Sequence, residues 1–150
     1  MRATRKSVSA ALFALLSSAY NFDKKIRHGE NIANQDTLTL MLFCDLENEK
    51  QPQALGLEQY VRKYICIVCG RASDTTGVEA DAAMDKIEDI LDALDTTMHP
   101  MIGMQQTLRD QNGGVDLVTD CYIDADKMIM PPIEQQEWAI WMSIQVLVGP

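Results

Sequence analysis

The chain has 150 residues, 47% hydrophobic and 23% charged, with 8 glycines and 5 prolines, which is a single-domain length and a globular composition, neither collagen-like nor low-complexity. Thirteen lysines and arginines stand against 22 aspartates and glutamates, and the net charge of −9 argues against a dedicated nucleic-acid binder, because phosphate is contacted mostly by Lys and Arg. No apolar run approaches the ~18 residues of a membrane span, and at this size roughly 70% of the unfolded surface can be buried, so a core forms without staples.

The chain starts Met1-Arg-Ala-Thr-Arg-Lys6, followed by an apolar run over 8–16 and the small residues Ser17, Ser18 and Ala19. A secretory signal shares that order. The same residues also make an amphipathic helix, with Val8, Leu12, Leu15, Leu16 and Ala19 at helical spacing and Ser7 as N-cap. We read the helix, which implies a cytosolic protein whose 4 cysteines stay reduced. Residues 21–36 are polar and irregular, with Gly29, Asn31 and Asn34 as turn-formers, and they carry the basic group Lys24, Lys25 and Arg27. Residues 37–44 then alternate, placing Leu38, Leu40, Leu42 and Cys44 on one face of a strand. The acidic, Gln- and Pro-containing stretch 45–52 reads as a loop.

The next strand, 59–69, is rich in Tyr, Val and Ile and ends at Gly70. It holds Cys66-Ile-Val-Cys69, the spacing of a redox or metal motif. In an extended strand, residues three apart point to opposite faces, so these two thiols cannot grip one ion. A thioredoxin-like pair sits at a helix N-terminus, and a zinc site needs a second pair at ligand spacing; Cys44 and Cys121 are isolated, and His28 and His99 stand alone. The motif is therefore a piece of strand.

Residues 78–95 form the clearest element, a helix whose apolar stripe is Ala80, Ala83, Met84, Ile87, Leu91 and Leu94. Its opposite face carries Asp81, Asp85, Asp89 and Asp92, with Glu88 beside them. Carboxylates at i,i+4 repel one another, and Asp92 and Asp95 lie at the negative end of the helix dipole. Such a face suits solvent, a divalent cation or a basic partner. Met98, Met101 and Met104 follow, as a soft contact surface or as core filling. Asn112-Gly113-Gly114 launches a strand over 115–125, with Val115, Leu117, Cys121 and Ile123 on one face and Asp116, Asp120 and Asp124 on the other. The last strand, 138–148, alternates best: Trp138, Ile140, Met142, Ile144, Val146 and Val148 point one way, and Ala139, Trp141, Ser143, Gln145 and Leu147 the other. Pro131-Pro132 precedes it, in a loop that projects from the sheet. The expected fold is one α+β domain over 1–150, with a mainly antiparallel sheet of four or more strands, two main helices packed on one face and a projecting β-hairpin.

No Gly-rich phosphate loop opens a helix, and no Ser lies in a nucleophile elbow. The paired carboxylates lie on a surface helix, without the cleft that would separate their pKa values. We expect no catalytic residue, no cofactor and no metal, and a protein that works by its surfaces. An alternative use of Asp81, Asp85, Asp89 and Asp92 is a small cytosolic metal- or ligand-binding domain, since hard cations prefer oxygen ligands.

The succession of elements resembles the bacteriophage tail terminator (tail completion) family of minor tail proteins. Arg5-Lys-Ser-Val-Ser-Ala-Ala-Leu-Phe-Ala-Leu-Leu16 resembles its opening helix, and Tyr60-Val-Arg-Lys-Tyr-Ile-Cys-Ile-Val-Cys69 followed by Ala83-Met-Asp-Lys-Ile-Glu-Asp-Ile-Leu-Asp-Ala-Leu94 its central strand and helix. Gln106-Thr-Leu108, Gly113-Gly114 and Asp120-Cys-Tyr-Ile123 are similar to the segment that follows, and Trp138-Ala-Ile-Trp-Met-Ser-Ile-Gln-Val-Leu-Val148 to its closing strand. The resemblance implies a sixfold ring on the last ring of the tail tube, which stops tube growth and presents the surface that joins the head. Its partners would be copies of itself, the tail tube protein and the head–tail connector protein, in a virion tail assembled in the host cytoplasm. Neither turnover, cofactor nor membrane is implied. DNA would pass through the ring without specific binding, which an acidic chain favours. Lys24, Lys25 and Arg27 would then face a partner protein or the acidic helix of a neighbour, and Tyr122 and Trp141 would lie on the outer face of the sheet as further candidate interface residues. Another head–tail joining protein of similar architecture is the nearest alternative.

Overall fold

In the first helix, α1 (Arg5–Ser17), Thr4 has extended backbone and its Oγ1 accepts the Ser7 N–H at 3.1 Å. The cap expected at Ser7 thus lies three residues earlier, because Ser7 is already inside the first turn and supplies one of the orphan N–H groups that a cap must satisfy. Val8, Leu12 and Leu16 are wholly buried along one side of α1. A computed structural model describes residues 3–27, 38–46, 60–72, 77–99, 118, 120–132 and 137–148. The turn residues expected in 28–37, the loop over 47–52, Met101, Met104, the Gly113-Gly114 turn with Val115 to Leu117, and residues 133–136 of the expected hairpin tip lie outside them.

The stretch read as irregular contains a strand, β1 (Lys24–Arg27), running parallel to β2 (Thr39–Cys44) with Lys24 opposite Thr39 and Arg27 opposite Leu42. A clamp starts it: the Asp23 and Lys24 N–H groups donate to the Leu38 carbonyl at 2.9 and 3.1 Å, and the Leu38 N–H donates to the Asp23 carboxylate at 3.1 Å. Lys-Lys-Ile-Arg has little strand propensity of its own, so β1 is imposed by the pairing edge that β2 offers.

β3 (Tyr60–Arg71) lies antiparallel between β2 and β5 (Glu137–Val148), and β4 (Asp120–Met130) pairs antiparallel with the far side of β5. Among the described residues the sheet has five strands in the order β1-β2-β3-β5-β4. The second helix, α2 (Val78–Met98), buries Ala83, Ile87, Ile90, Leu94 and Met98. Both helices pack on one face of the sheet, against Leu40 and Leu42 of β2, Tyr64, Cys66 and Val68 of β3, and the even-numbered residues of β5. The protein has the α+β fold, mostly antiparallel, that the pattern predicts.

Two strands differ from expectation for local reasons. β4 reaches Met130 rather than ending at 125, because its register shifts between Ile123 and Lys127. Such an irregularity breaks the period-2 pattern by which the strand would be recognised. β3 does not end at Gly70 but runs through it to Arg71. Gly70 faces Trp138 of β5, and a Cβ there would stand 2.4 Å from Cζ2 of the buried indole. The glycine is a place for a ring, not a stop. Gly70→Ala is expected to destabilise the fold by about 1–3 kcal/mol through overpacking, read as a lowered midpoint in thermal melts. Trp138→Leu in the same chain should recover part of the loss relative to the product of the two single changes.

Candidate functional site

Strand alternation gives the sheet a second face that carries no described helix. Thr39, Met41 and Phe43 of β2 lie on it beside Cys69, Ile67 and Ile65 of β3, and these in turn beside Ala139, Trp141 and Ser143 of β5. Met41, Ile67, Cys69 and Ala139 form a small buried cluster here, with Ile26, Phe43, Ile65 and Trp141 half-buried around it. Trp141 stands directly opposite Ile67 on one side and Met128 of β4 on the other. Beside it runs an open groove of about 580 Å³ lined by Asp45, Lys63, Ile65, Met128, Trp141 and Ser143. A smaller one of about 230 Å³ lies between Met41, Ile67, Met130 and Trp141. At the end of β4, Met128, Ile129 and Met130 are 53%, 40% and 45% exposed, an apolar run left in water.

Tyr122 lies on this same face as Trp141. Its hydroxyl donates to Gln145 Oε1 at 3.0 Å, and Gln145 Nε2 donates to the Asp124 carboxylate. Desolvation pushes the phenol above its ordinary pKa, and the Asp124 and Asp120 charges add to the rise, so Tyr122 stays a neutral donor.

The charged candidates fall on β1 and on α2. Lys24 and Lys25 are exposed on β1, and Arg27 donates from Nη2 to the Lys6 carbonyl of α1 at 3.5 Å. Asp81, Asp85, Asp89 and Asp92 are exposed along α2, on the side away from its buried stripe. The end of α2 is fastened to β4: Asp95 pairs with Lys127 at 2.5 Å, and the Ile123 N–H reaches His99 Nε2 at 3.4 Å. The structure therefore brings Tyr122 and Trp141 onto one face, with the basic residues on β1 and the acidic stripe on the exposed side of α2. Four interstrand spacings of ~4.8 Å, roughly 19 Å, separate β1 from β4. Among the described residues, no three His, Cys, Asp or Glu side chains are grouped to hold a metal ion.

Cys66 and Cys69 point to opposite faces, Cys66 into the helix-packed core and Cys69 into the small cluster on the other side. Burial pushes the Cys66 thiol up to about 12 from its ordinary value of 9.0. Burial raises Cys69 as well, with help from Glu137, and burial raises Cys121, with help from Asp120. These are inert thiols. Alkylation of the native protein, read by mass spectrometry, should label the half-exposed Cys44 first and spare Cys66 and Cys121 until unfolding. Cys66 keeps its proton in the native chain where the unfolded chain loses it. Its contribution to stability is therefore complete below pH 9 and declines between pH 9 and about 12, by up to ~1.4 kcal/mol per pH unit. Denaturant titrations across that range should show the decline, and Cys66→Ala should make it shallower while Cys69, Cys121 and Tyr122, whose pKa values are also raised, keep the remainder.

Arg62 was not singled out by the sequence. It is 6% exposed, on the helix-packed side of β3 opposite Val146, and Nη1 has no hydrogen-bond partner among the described residues. Its parity with Tyr64 and Cys66 was the available signal. A buried cation lacking full compensation is costly, so Arg62→Met is expected to raise the thermal midpoint, with a gain of about 1–3 kcal/mol.

The apolar end of β4 was also missed, since the expected strand stopped before Met128-Ile129-Met130. Comparison of the chain with protein-family models and with curated proteins gives no match.

Proposed function

We propose that the protein is a structural component of a phage tail that caps the tail tube as an oligomeric ring, ends tube elongation and provides the surface for head joining. The observation that carries an assembly role is the pair Met128 and Met130, exposed at the end of β4 on the same face as Trp141, with Met128 lining the Trp141 groove. Contiguous apolar surface on a soluble chain marks a place where another surface docks, and Met side chains adapt to the surface they meet. The assignment to a tail rests on the order of elements and local phrases shared with tail terminators.

In this role the chain's partners are its own copies, the tail tube protein and the head–tail connector protein, within a virion tail assembled in the host cytoplasm. DNA passes through the ring unbound, repelled by the net charge of −9. No turnover or cofactor is required. Light scattering with negative-stain images of the same sample, with and without growing tail tubes, tests the proposal. Rings and tubes of arrested length are expected. A chain that stays monomeric and leaves tubes growing overturns it. Met128→Lys with Met130→Lys should weaken assembly at least ~10-fold, as loss of buried apolar contact predicts, while leaving the circular-dichroism melt unchanged.

A further inference from the structure

We infer that copies of this chain join head to tail by opposite charge, the β1 flank of one copy seating on the α2–β4 flank of the next. The inference rests on the assembly role proposed above and names the two surfaces of its subunit contact.

One flank is basic. Arg5 and Lys6 open α1, and Lys24, Lys25 and Arg27 form most of β1; the Arg27–Lys6 hydrogen bond ties the two segments side by side. The nearest carboxylate in sequence, Asp23, is engaged by the Leu38 N–H. The other flank is acidic. Asp85, Glu88, Asp89 and Asp92 are exposed on α2; Asp120 and Asp124 lie on β4, where Asp120 accepts the Cys121 N–H and Asp124 accepts from Gln145 on the helix-free face. Of the lysines there, Lys127 is already neutralised by Asp95, which leaves Lys86 on α2 among this excess of carboxylates. The Asp95–Lys127 pair also fixes the acidic helix over the β4 side of the sheet.

Sheet order decides what these charges can do. β1 and β4 are the two outermost described strands, so these two edges lie apart within one copy. Two copies meeting by the same flank would set like charges together. Opposite flanks attract, and each copy then keeps one unused flank of each sign, which is the heterologous contact that builds a ring when its rotation closes. Exposed ion pairs are individually weak and are screened by salt. The charges therefore orient and select the partner, while Met128, Ile129 and Met130, on the same acidic edge, supply apolar contact. An outermost strand is also a template for pairing with another chain.

The test uses the full chain and two charge-reversed variants. One carries Lys6→Glu, Lys24→Glu and Lys25→Glu, which makes both flanks acidic; the other carries Asp85→Lys, Asp89→Lys and Asp92→Lys, which makes both basic. Circular dichroism establishes that each is folded, and light scattering at low and high salt reads assembly. Wild-type assembly should weaken with salt, and each variant alone should assemble at least ~10-fold more weakly than wild type. An equimolar mixture should recover assembly, with the two variants alternating. Variants that assemble alone like wild type overturn the inference, and so does a mixture that stays monomeric. In either case a wild-type ring that still caps tubes leaves the capping role standing. A wild-type chain that neither assembles nor caps fails that role itself.

Discussion

The antiparallel ladder between β3 and β5 is the constraint on which the rest of the molecule depends. Each strand has 12 residues, and they pair over their whole length, from Tyr60 opposite Val148 to Arg71 opposite Glu137. That single register places Tyr64, Cys66 and Val68 with Ile144, Met142 and Ile140 on one face. It also places Ile65, Ile67 and Cys69 with Ser143, Trp141 and Ala139 on the other. A slip of one residue would exchange the two faces. Gly70 makes the register tolerable at its crowded end, where the Trp138 indole fills the space a side chain would need.

The two faces then take different parts. The helix-packed face holds the large core, with α1 over the β2 side and α2 secured at the β4 side by Asp95 and His99. Among the described residues the opposite face carries a small buried cluster, rimmed by half-buried apolar side chains and open grooves. A sheet that is covered on one side and partly apolar on the other has surface left for association. The outer strands differ from each other in the same economical way: β1 is short and basic, whereas β4 is longer, acidic at its start and apolar at its end.

Much of this was legible residue by residue. The alternation in the last strand assigned Trp138 and Trp141 to opposite faces, and the pairings with Gly70 and Ile67 agree. The spacing within the Cys66–Cys69 motif already separated its thiols, since period-2 geometry needs no tertiary information. The helix over α2 was equally plain, although its centre of burial includes Ile90, which the sequence stripe omitted. Where the pattern failed, a non-local cause can be named. Lys24 to Arg27 becomes a strand because Asp23 and Leu38 clamp it against β2. β4 was cut short because its register shift hides the alternation. Arg62 was overlooked because a charged residue amid Tyr, Val and Ile carries no mark of the core side by composition alone.

The sequence by itself determined the α+β class, the strands with clean alternation, the acidic stripe on α2 and the placement of the Cys66 and Cys69 thiols on opposite faces. These are properties of periodicity and of side-chain chemistry over a few neighbouring residues, and they persist whatever the chain packs against. Tertiary structure alone decided the strand order, the parallel β1 and the accommodation of Trp138 by Gly70. Those features arise from hydrogen bonds and contacts between residues far apart in the chain, and local propensity carries no record of which distant edge a strand will find.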